Sequence, residues 1–304
     1  MNGLLRMLEP ALPVLVALAL GLYCRRSNFL SRDHVDALKK VVVNITLPAV
    51  LFSAFATAEY SLQTISIPVL VFALCCVGLV LGKILARFLR LPGRIAPYLA
   101  TGFEAGMLGY ALYALLFPSE PTSHFAILDL GQTLFVFTLY KALLSGGETK
   151  SLWKDIINTP ILWGTFAGLV VGATGLYGWM TQNGTAAVVN SLTDFISAPT
   201  GMMILLAVGY DLDFGEIRWR DTARFVLLRL ISMALLFGLL VLVNRTLLNN
   251  VIFEGAALLL FILPPPFVIP IFADEPSQRA QISSALSALT VVTLVLFAVM
   301  TVAF

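Results

Sequence analysis

Long apolar runs alternate with short polar stretches along almost the whole chain. A run of about 20 apolar residues can cross a bilayer as a helix, and this sequence contains ten candidates. We number these predicted spans one to ten. They lie near Leu8–Tyr23, Val41–Ala58, Ile65–Leu85, Ile95–Phe117, Phe125–Leu144, Ile161–Gly178, Ala187–Gly209, Thr222–Asn244, Val251–Ala273 and Gln281–Phe304. The pattern predicts an all-α polytopic membrane protein with ten transmembrane helices.

Composition and charge placement agree with this prediction. The 304 residues are 59% hydrophobic and 12% charged, whereas a soluble domain carries roughly 25% charged residues. All Lys and Arg except Arg6 and Arg245 fall in connections after odd-numbered spans or in their flanks, and Arg229 is counted with the connection after span seven. The positive-inside rule then predicts cytoplasmic odd-numbered connections and both termini outside. The expected location is the cell (inner) membrane.

The chain divides into two halves of five spans each, residues 1–148 and 149–304, near the polar stretch Ser145–Thr159. Because five is odd, the second half must insert in the opposite orientation to the first. Pro48 and Pro199 lie midway in spans two and seven, and spans four and nine each carry residues that interrupt a helix. These features in register predict two inverted repeats; chance is the alternative, since Pro and Gly are frequent in transmembrane helices.

Spans four and nine are the candidates for a binding site. Their helix-interrupting residues are Gly102, Gly106 and Gly109 in span four, and Pro264, Pro265, Pro266 and Pro270 in span nine. Prolines leave helical carbonyls without donors, and the N-terminus of the half-helix that follows offers N–H groups suited to a carboxylate. Phe267, next to the prolines, is also a candidate binding residue. Paired interrupted segments indicate a transporter's binding site. The alternative is a pair of structural kinks.

Glu104, near the middle of span four, is the candidate proton carrier. An ionisable residue at that depth is a functional candidate, and desolvation favours the neutral carboxyl; a structural hydrogen bond or ion pair is the alternative. Asn44, Gln132 and Ser284 could line a cavity or bond their own helices. We expect Asp129 near the outer interface, where its charge costs little.

Enzymatic signals are weak, because neither a metalloprotease nor a hydrolase motif occurs and both histidines lie in or beside loops. We therefore expect no catalytic residue, no metal site, no nucleic-acid partner and no cofactor other than a coupling ion. The coupling ion expected is H⁺, with Na⁺ as the alternative.

Five motifs, in this order, resemble the auxin efflux carrier family, which includes plant PIN carriers and bacterial malate-type permeases. The motifs are Leu38–Lys40 together with Asn44–Ala49, then Gly106–Tyr110, Gly131–Phe137, Val208–Leu212 and Leu263–Phe267. The resemblance implies a fold like that of bile-acid sodium symporters, with spans four and nine crossing. It also implies a scaffold of spans one, two, six and seven, a transport domain of spans three to five and eight to ten, elevator-type alternating access, and a homodimer through the scaffold.

The sequence departs from the family at Glu104, where the family commonly has Asn, and at Ala111, where it has Pro. An ionised Glu104 would repel an organic anion strongly in a low dielectric. We therefore expect a secondary transporter of a small organic acid, proton-linked through Glu104, unless the substrate is not a simple anion. The alternatives are a sodium-coupled symporter, a non-transporting sensor or scaffold, and a membrane enzyme using Glu104 and Asp129.

Overall fold

The computed structural model describes residues 3–91, 94–144, 159–212, 219–267, 269 and 276–303. Within these ranges the chain forms helices and turns, without strands. The helices are α1 Gly3–Arg26, α2 Arg32–Ala56, α3 Leu62–Phe88, α4 Ala105–Leu116, α5 Ser123–Leu144, α6 Pro160–Ala173, α7 Leu176–Gln182, α8 Thr185–Asp211, α9 Trp219–Thr246, α10 Glu254–Ile262 and α11 Pro276–Ala303. A 3₁₀ turn, Ala96–Ala100, precedes α4.

Six of the described helices are long and apolar enough to cross a membrane: α2, α3, α5, α8, and the segments Arg220–Thr246 of α9 and Gln281–Ala303 of α11. Helices α6 and α7 are bent by 68° at a short break and would add a seventh span if they cross together. The predicted class, an all-helical multi-pass membrane protein, is therefore confirmed. The count of ten and the inverted repeats remain predictions.

Three helices contain wider π turns: Val42–Thr46 in α2, Ala105–Gly109 at the start of α4, and Val136–Tyr140 in α5. The turn in α2 has a local cause in Pro48. Proline donates no backbone hydrogen bond, and its ring displaces the carbonyl four residues earlier, that of Asn44. The helix widens just before the proline and then continues. Turns of this kind frequently occur at functional sites.

The chain forms two compact units. The first contains residues 1–65, 106–127 and 153–211, and the second contains residues 66–105, 128–152 and 212–304. In the first unit α6 packs directly on α2 through Gly164, Gly168 and Gly172. A Cβ on Gly164 would lie 2.5 Å from the carbonyl oxygen of Pro48, so larger residues would force the helices apart. Small residues at such spacing are typical of close helix contacts in membranes.

In the second unit, α9 packs against the Ala96–Ala100 turn and against α10 and α11. Two of the non-helical segments in this unit are residues 101–104, which we call break I, and residues 263–267, which we call break II. Break I follows the 3₁₀ turn and precedes α4, whereas break II follows α10. They are the interruptions of predicted spans four and nine, and they hold the candidate site.

Candidate functional site

Break I depends on Gly102. Its φ of +70° lies in the left-handed region, where a residue with a Cβ is strained. A Cβ on Gly102 would also lie 3.1 Å from Cδ and Cγ of Pro266, so glycine is needed for the contact as well as for the conformation. Gly106 and Gly109 belong to the π turn of α4 and to the first unit. The helix is thus interrupted at one of the three predicted glycines.

Break II is the proline run itself. Carbonyl groups in it and beside it accept hydrogen bonds from other segments of the chain. The carbonyl of Ile262, at the end of α10, accepts a hydrogen bond from Thr293 Oγ1 at 2.6 Å. The carbonyl of Pro264 accepts from the N–H of Glu104 at 2.9 Å. Pro265 and Pro266 are buried, and Pro270 lies outside the described residues. The prolines remove helical donors, and side chains or backbone from other segments replace them.

Glu104 joins the two breaks through both its backbone and its side chain. Its N–H donates to Pro264, and its carboxylate Oε2 accepts from the N–H of Phe267 at 2.6 Å. Phe267 offers the first backbone N–H after the three prolines. The sequence predicts that donors at this place suit a substrate carboxylate. In the structure a carboxylate of the chain itself holds this donor.

Arg229 caps both breaks with one guanidinium group. Nη2 donates to the carbonyls of Gly102 and Leu263 at 2.8 Å each, and Nη1 donates to the carbonyl of Leu99 at 3.2 Å. Its Cζ lies 5.2 Å from the ring centroid of Phe103, within the range of a cation–π contact. The side chain is 3% exposed. A buried cation therefore satisfies carbonyl groups that the broken helices leave open.

Arg229 was the residue that sequence reasoning missed. Counting it with the connection after span seven is wrong, because it lies within α9, more than two turns from the first residue of that helix. It therefore carries no weight in the positive-inside argument. The available signal was its place inside predicted span eight, since a charged residue within a span is a functional candidate by default. Among the described residues, no carboxylate lies within ion-pair distance of it.

Gln132 positions the peptide of Phe103 in break I. Its Oε1 accepts from the Phe103 N–H at 3.3 Å, while its Nε2 donates to Asp129 Oδ1 at 2.8 Å. Thr133 Oγ1 donates to the same carboxylate oxygen at 3.2 Å. Asp129 is 6% exposed, so the expectation that its charge costs little at the interface is wrong. Its burial is offset by these hydrogen bonds, and in return it fixes the orientation of the Gln132 amide.

The remaining predicted site residues have separate places. Asn44 lies in the first unit, where its Nδ2 donates to the carbonyl of Lys40 in its own helix at 2.7 Å. Ser284 is buried in α11, and the described contacts do not connect it to either break. The structure thus brings together Glu104, Gly102, Gln132 and the proline run with Phe267. No group of three or more His, Cys, Asp or Glu among the described residues could hold a metal ion.

The second unit therefore contains two interrupted segments held together by a carboxylate, a buried guanidinium and backbone hydrogen bonds. Irregular backbone at membrane depth is tolerated only where protein or a cavity supplies partners, and such segments are typical of transporters. Comparison with known sequences agrees with that class. Residues 6–114 match the model of a family described as membrane transport protein. The predicted resemblance to a transporter family is confirmed.

Two archaeal relatives are similar over a larger part of the chain. An uncharacterized transporter of Methanothermobacter thermautotrophicus is 26% identical over 219 residues, which cover 69% of each chain. An uncharacterized transporter of Methanocaldococcus jannaschii is 25% identical over 218 residues, which cover 67% of this chain and 68% of the relative. The family model and both relatives therefore connect this chain, by similarity, with proteins described as membrane transporters.

Proposed function

We propose that this protein is a secondary active transporter that moves a small organic acid across the cell (inner) membrane, with a proton coupled through Glu104. One observation carries the proposal: the Glu104 carboxylate holds the Phe267 N–H at the place where breaks I and II meet. A backbone N–H at this place therefore already binds a carboxylate, that of Glu104, and a proton can neutralise the Glu104 side chain.

Coupling follows from competition for this donor. An ionised Glu104 is a strong acceptor for the Phe267 N–H and repels a second carboxylate at short range. A protonated Glu104 accepts more weakly and carries no charge. A substrate carboxylate then takes the N–H, so the proton and the organic anion are bound together. Arg229 adds positive potential nearby without an ion-pair partner among the described residues, which favours the anion over a neutral analogue.

The finer architecture belongs to the same proposal. It comprises ten spans in two inverted repeats, residues 1–148 and 149–304, with spans four and nine crossing. Their reciprocal hydrogen bonds, between Glu104 and Pro264 and between Glu104 and Phe267, support the crossing. Both termini lie outside in this arrangement.

Elevator-type access requires a transport domain that moves against a scaffold. The proposed scaffold consists of spans one, two, six and seven, and it forms the interface of a homodimer. These spans fall in the first compact unit. Spans three, eight, nine and ten fall in the second unit, except for Ile65, the first residue of span three. Spans four and five are shared between the units. This division supports a moving part that carries the Glu104 site.

The test is uptake into proteoliposomes that contain the purified full-length protein. A panel of radiolabelled dicarboxylates and monocarboxylates, with malate as the first probe, is assayed under a pH gradient and a sodium gradient applied separately. We expect a pH gradient to drive uptake. Uptake driven by sodium alone would replace proton coupling with sodium-coupled symport, and binding without flux would indicate a sensor or scaffold.

The variant Glu104→Gln keeps an acceptor oxygen for the Phe267 N–H but cannot ionise. We expect it to bind and exchange substrate with a rate that no longer depends on pH. Glu254→Gln is the matched control, because Glu254 is an acidic residue of the same unit that belongs to neither break. Its carboxylate pairs with Arg245 at a distance of 2.9 Å. Full pH dependence in Glu104→Gln would remove Glu104 from the coupling mechanism.

A further inference from the structure

The first unit contains a cavity of about 560 Å³ that the crossover site does not use. It is lined by residues of α1, α2, α4 and α8, by Thr57 after α2 and by Thr122 before α5, all within that unit. Small-molecule sites occupy about 300–1,000 Å³, so the volume fits a ligand of ordinary metabolite size. The question is which chemistry its lining selects.

The lining combines apolar side chains with neutral hydroxyl groups and one carboxylate. The apolar side is formed by Ala111, Ala114, Leu115, Met202 and Leu205. The polar lining residues are Asp194, with its carboxylate, and six residues with hydroxyl groups: Ser53, Thr57, Tyr110, Thr122, Ser197 and Thr200. None of the described lining residues is Lys, Arg or His. Among the described lining residues there is therefore one acidic group, Asp194, and no basic group to balance it.

Among the described residues, Thr200 Oγ1 has no hydrogen-bond partner and Asp194 has no ion-pair partner. Thr200 is 5% exposed, and its Oγ1 is buried without a hydrogen bond. Asp194 makes no ion pair with any described residue. A buried hydroxyl without a partner is unfavourable, which means that a ligand donating to Thr200 removes an existing penalty. These two residues point to a ligand with hydrogen-bond donors.

An interruption of α8 explains how the Asp194 carboxylate and the Thr200 hydroxyl group reach the same cavity. The helix is interrupted between Ser197 and Thr200, where Pro199 cannot donate a backbone hydrogen bond. Asp194 lies one turn before the interruption, and Thr200 begins the helix that follows. The interruption therefore places a carboxylate and a hydroxyl on either side of a proline, facing one space.

We propose that this cavity binds a small molecule with a protonated amine and a compact apolar body. An ammonium group has three donors and no acceptor, which matches a carboxylate and an unpartnered hydroxyl. Its apolar part packs on the alanine and leucine wall. An organic anion would be repelled by Asp194 and would find no cation among the described lining residues. The ligand therefore differs from the substrate proposed for the crossover.

The experiment compares phenylbutylamine, phenylbutanol and phenylbutyrate, which share an apolar body and differ in head-group charge. Binding to the full-length protein in lipid nanodiscs is measured by equilibrium dialysis against empty nanodiscs. We expect the amine to bind about fivefold more tightly than the alcohol, the size of a partly exposed ionic contact, and the carboxylate to bind weakest. Equal binding of all three, or no binding by the amine, overturns the proposal.

Three variants locate the binding. Asp194→Asn removes the preference for the amine over the alcohol. The control Glu59→Gln leaves this preference unchanged, because Glu59 is an exposed acidic residue of the same unit that does not line the cavity. Thr200→Val weakens binding of the amine without lowering the thermal unfolding temperature, because Thr200 Oγ1 has no partner to lose. Gly201→Leu fills the cavity, since a Cβ there has only Ala111 Cβ near it at 3.9 Å, and it abolishes binding. An unchanged amine preference in Asp194→Asn contradicts the assignment.

Discussion

Breaks I and II interrupt predicted spans four and nine, yet they use opposite chemistry. Break I is formed by a glycine and keeps its N–H groups, so it offers donors at Phe103 and Glu104. Break II is formed by three prolines and offers mainly carbonyl oxygens, with the Phe267 N–H as the donor that follows them. Each supplies what the other lacks: Glu104 N–H donates to Pro264, and Phe267 N–H donates to the Glu104 carboxylate. Matching positions therefore do not mean matching roles.

Each break also depends on side chains from other helices. Gln132 accepts from the Phe103 N–H in break I, and Thr293 donates to the Ile262 carbonyl beside break II. Arg229 of α9 serves both breaks, through the carbonyls of Gly102 and Leu263. The comparison predicts a hierarchy of effects, in which the residue shared by both breaks matters most and a residue serving one carbonyl matters least.

Arg229→Met should have the largest effect on stability. The substitution keeps an apolar side chain of similar length but leaves three buried carbonyl oxygens without their cationic donor. We expect a loss of about 3–5 kcal/mol in the free energy of unfolding, measured by denaturant unfolding in detergent micelles. Arg224→Ala on the same helix is the control. Its side chain is 40% exposed and pairs with Asp221 at 3.5 Å, so the cost should stay below about 1 kcal/mol. Similar losses in both variants would contradict the capping role.

The sequence predicted both breaks because their causes are local. A proline run removes donors wherever it occurs, and an ionisable Glu104 within an apolar run is visible without any fold. Arg229 and Thr293 act on residues far away in the sequence, and no periodicity connects them with the carbonyls they satisfy. The positive-inside count even assigned Arg229 to a connection, because that rule reads charge near span ends and not burial.

The span boundaries show a similar limit. Helix α2 begins at Arg32, well before the predicted start at Val41. The prediction was late because the first turns of the helix are polar, and a hydropathy pattern does not register polar turns. Ser31 caps this segment and His34 completes a capping box, a signal of helix start that depends on hydrogen bonding and not on hydrophobicity. Hydrophobic length therefore predicts the membrane-embedded part of a helix, while caps decide where the helix begins.

Gly102→Ala tests whether break I needs its glycine. Alanine is strained at a φ of +70°, and its Cβ would press against the Pro266 ring at 3.1 Å. We expect a loss of about 2–3 kcal/mol in the free energy of unfolding. Gly238→Ala in α9 of the same unit is the control, because a Cβ there meets nothing within 4 Å, and it should stabilise the helix by about 1 kcal/mol. A neutral Gly102→Ala would mean that break I does not depend on this conformation.

Glu104→Ala separates the hydrogen bond from the charge. Alanine leaves the Phe267 N–H without its side-chain acceptor, whereas Glu104→Gln retains an oxygen at that place. We expect Glu104→Ala to lose about 1–2 kcal/mol in the free energy of unfolding, and Glu104→Gln to lose less. Equal stability of the two variants would show that the side chain does not hold break II. The measurement is the same unfolding titration, at a pH where the wild-type carboxyl is ionised.

Thr293→Val should have the smallest effect. Thr293 Oγ1 donates to the Ile262 carbonyl, which the prolines have deprived of a helical donor, at 2.6 Å. Valine has the same shape without the hydroxyl group, so the expected loss is that of one hydrogen bond, about 1 kcal/mol. The control is Thr290→Val in the same helix, where Oγ1 bonds the Leu286 carbonyl four residues earlier at 2.9 Å. That carbonyl is in a continuous helix and keeps its backbone donor. Thr293→Val should therefore cost more than Thr290→Val, and the reverse order would show that the Ile262 carbonyl at the start of break II is satisfied without Thr293.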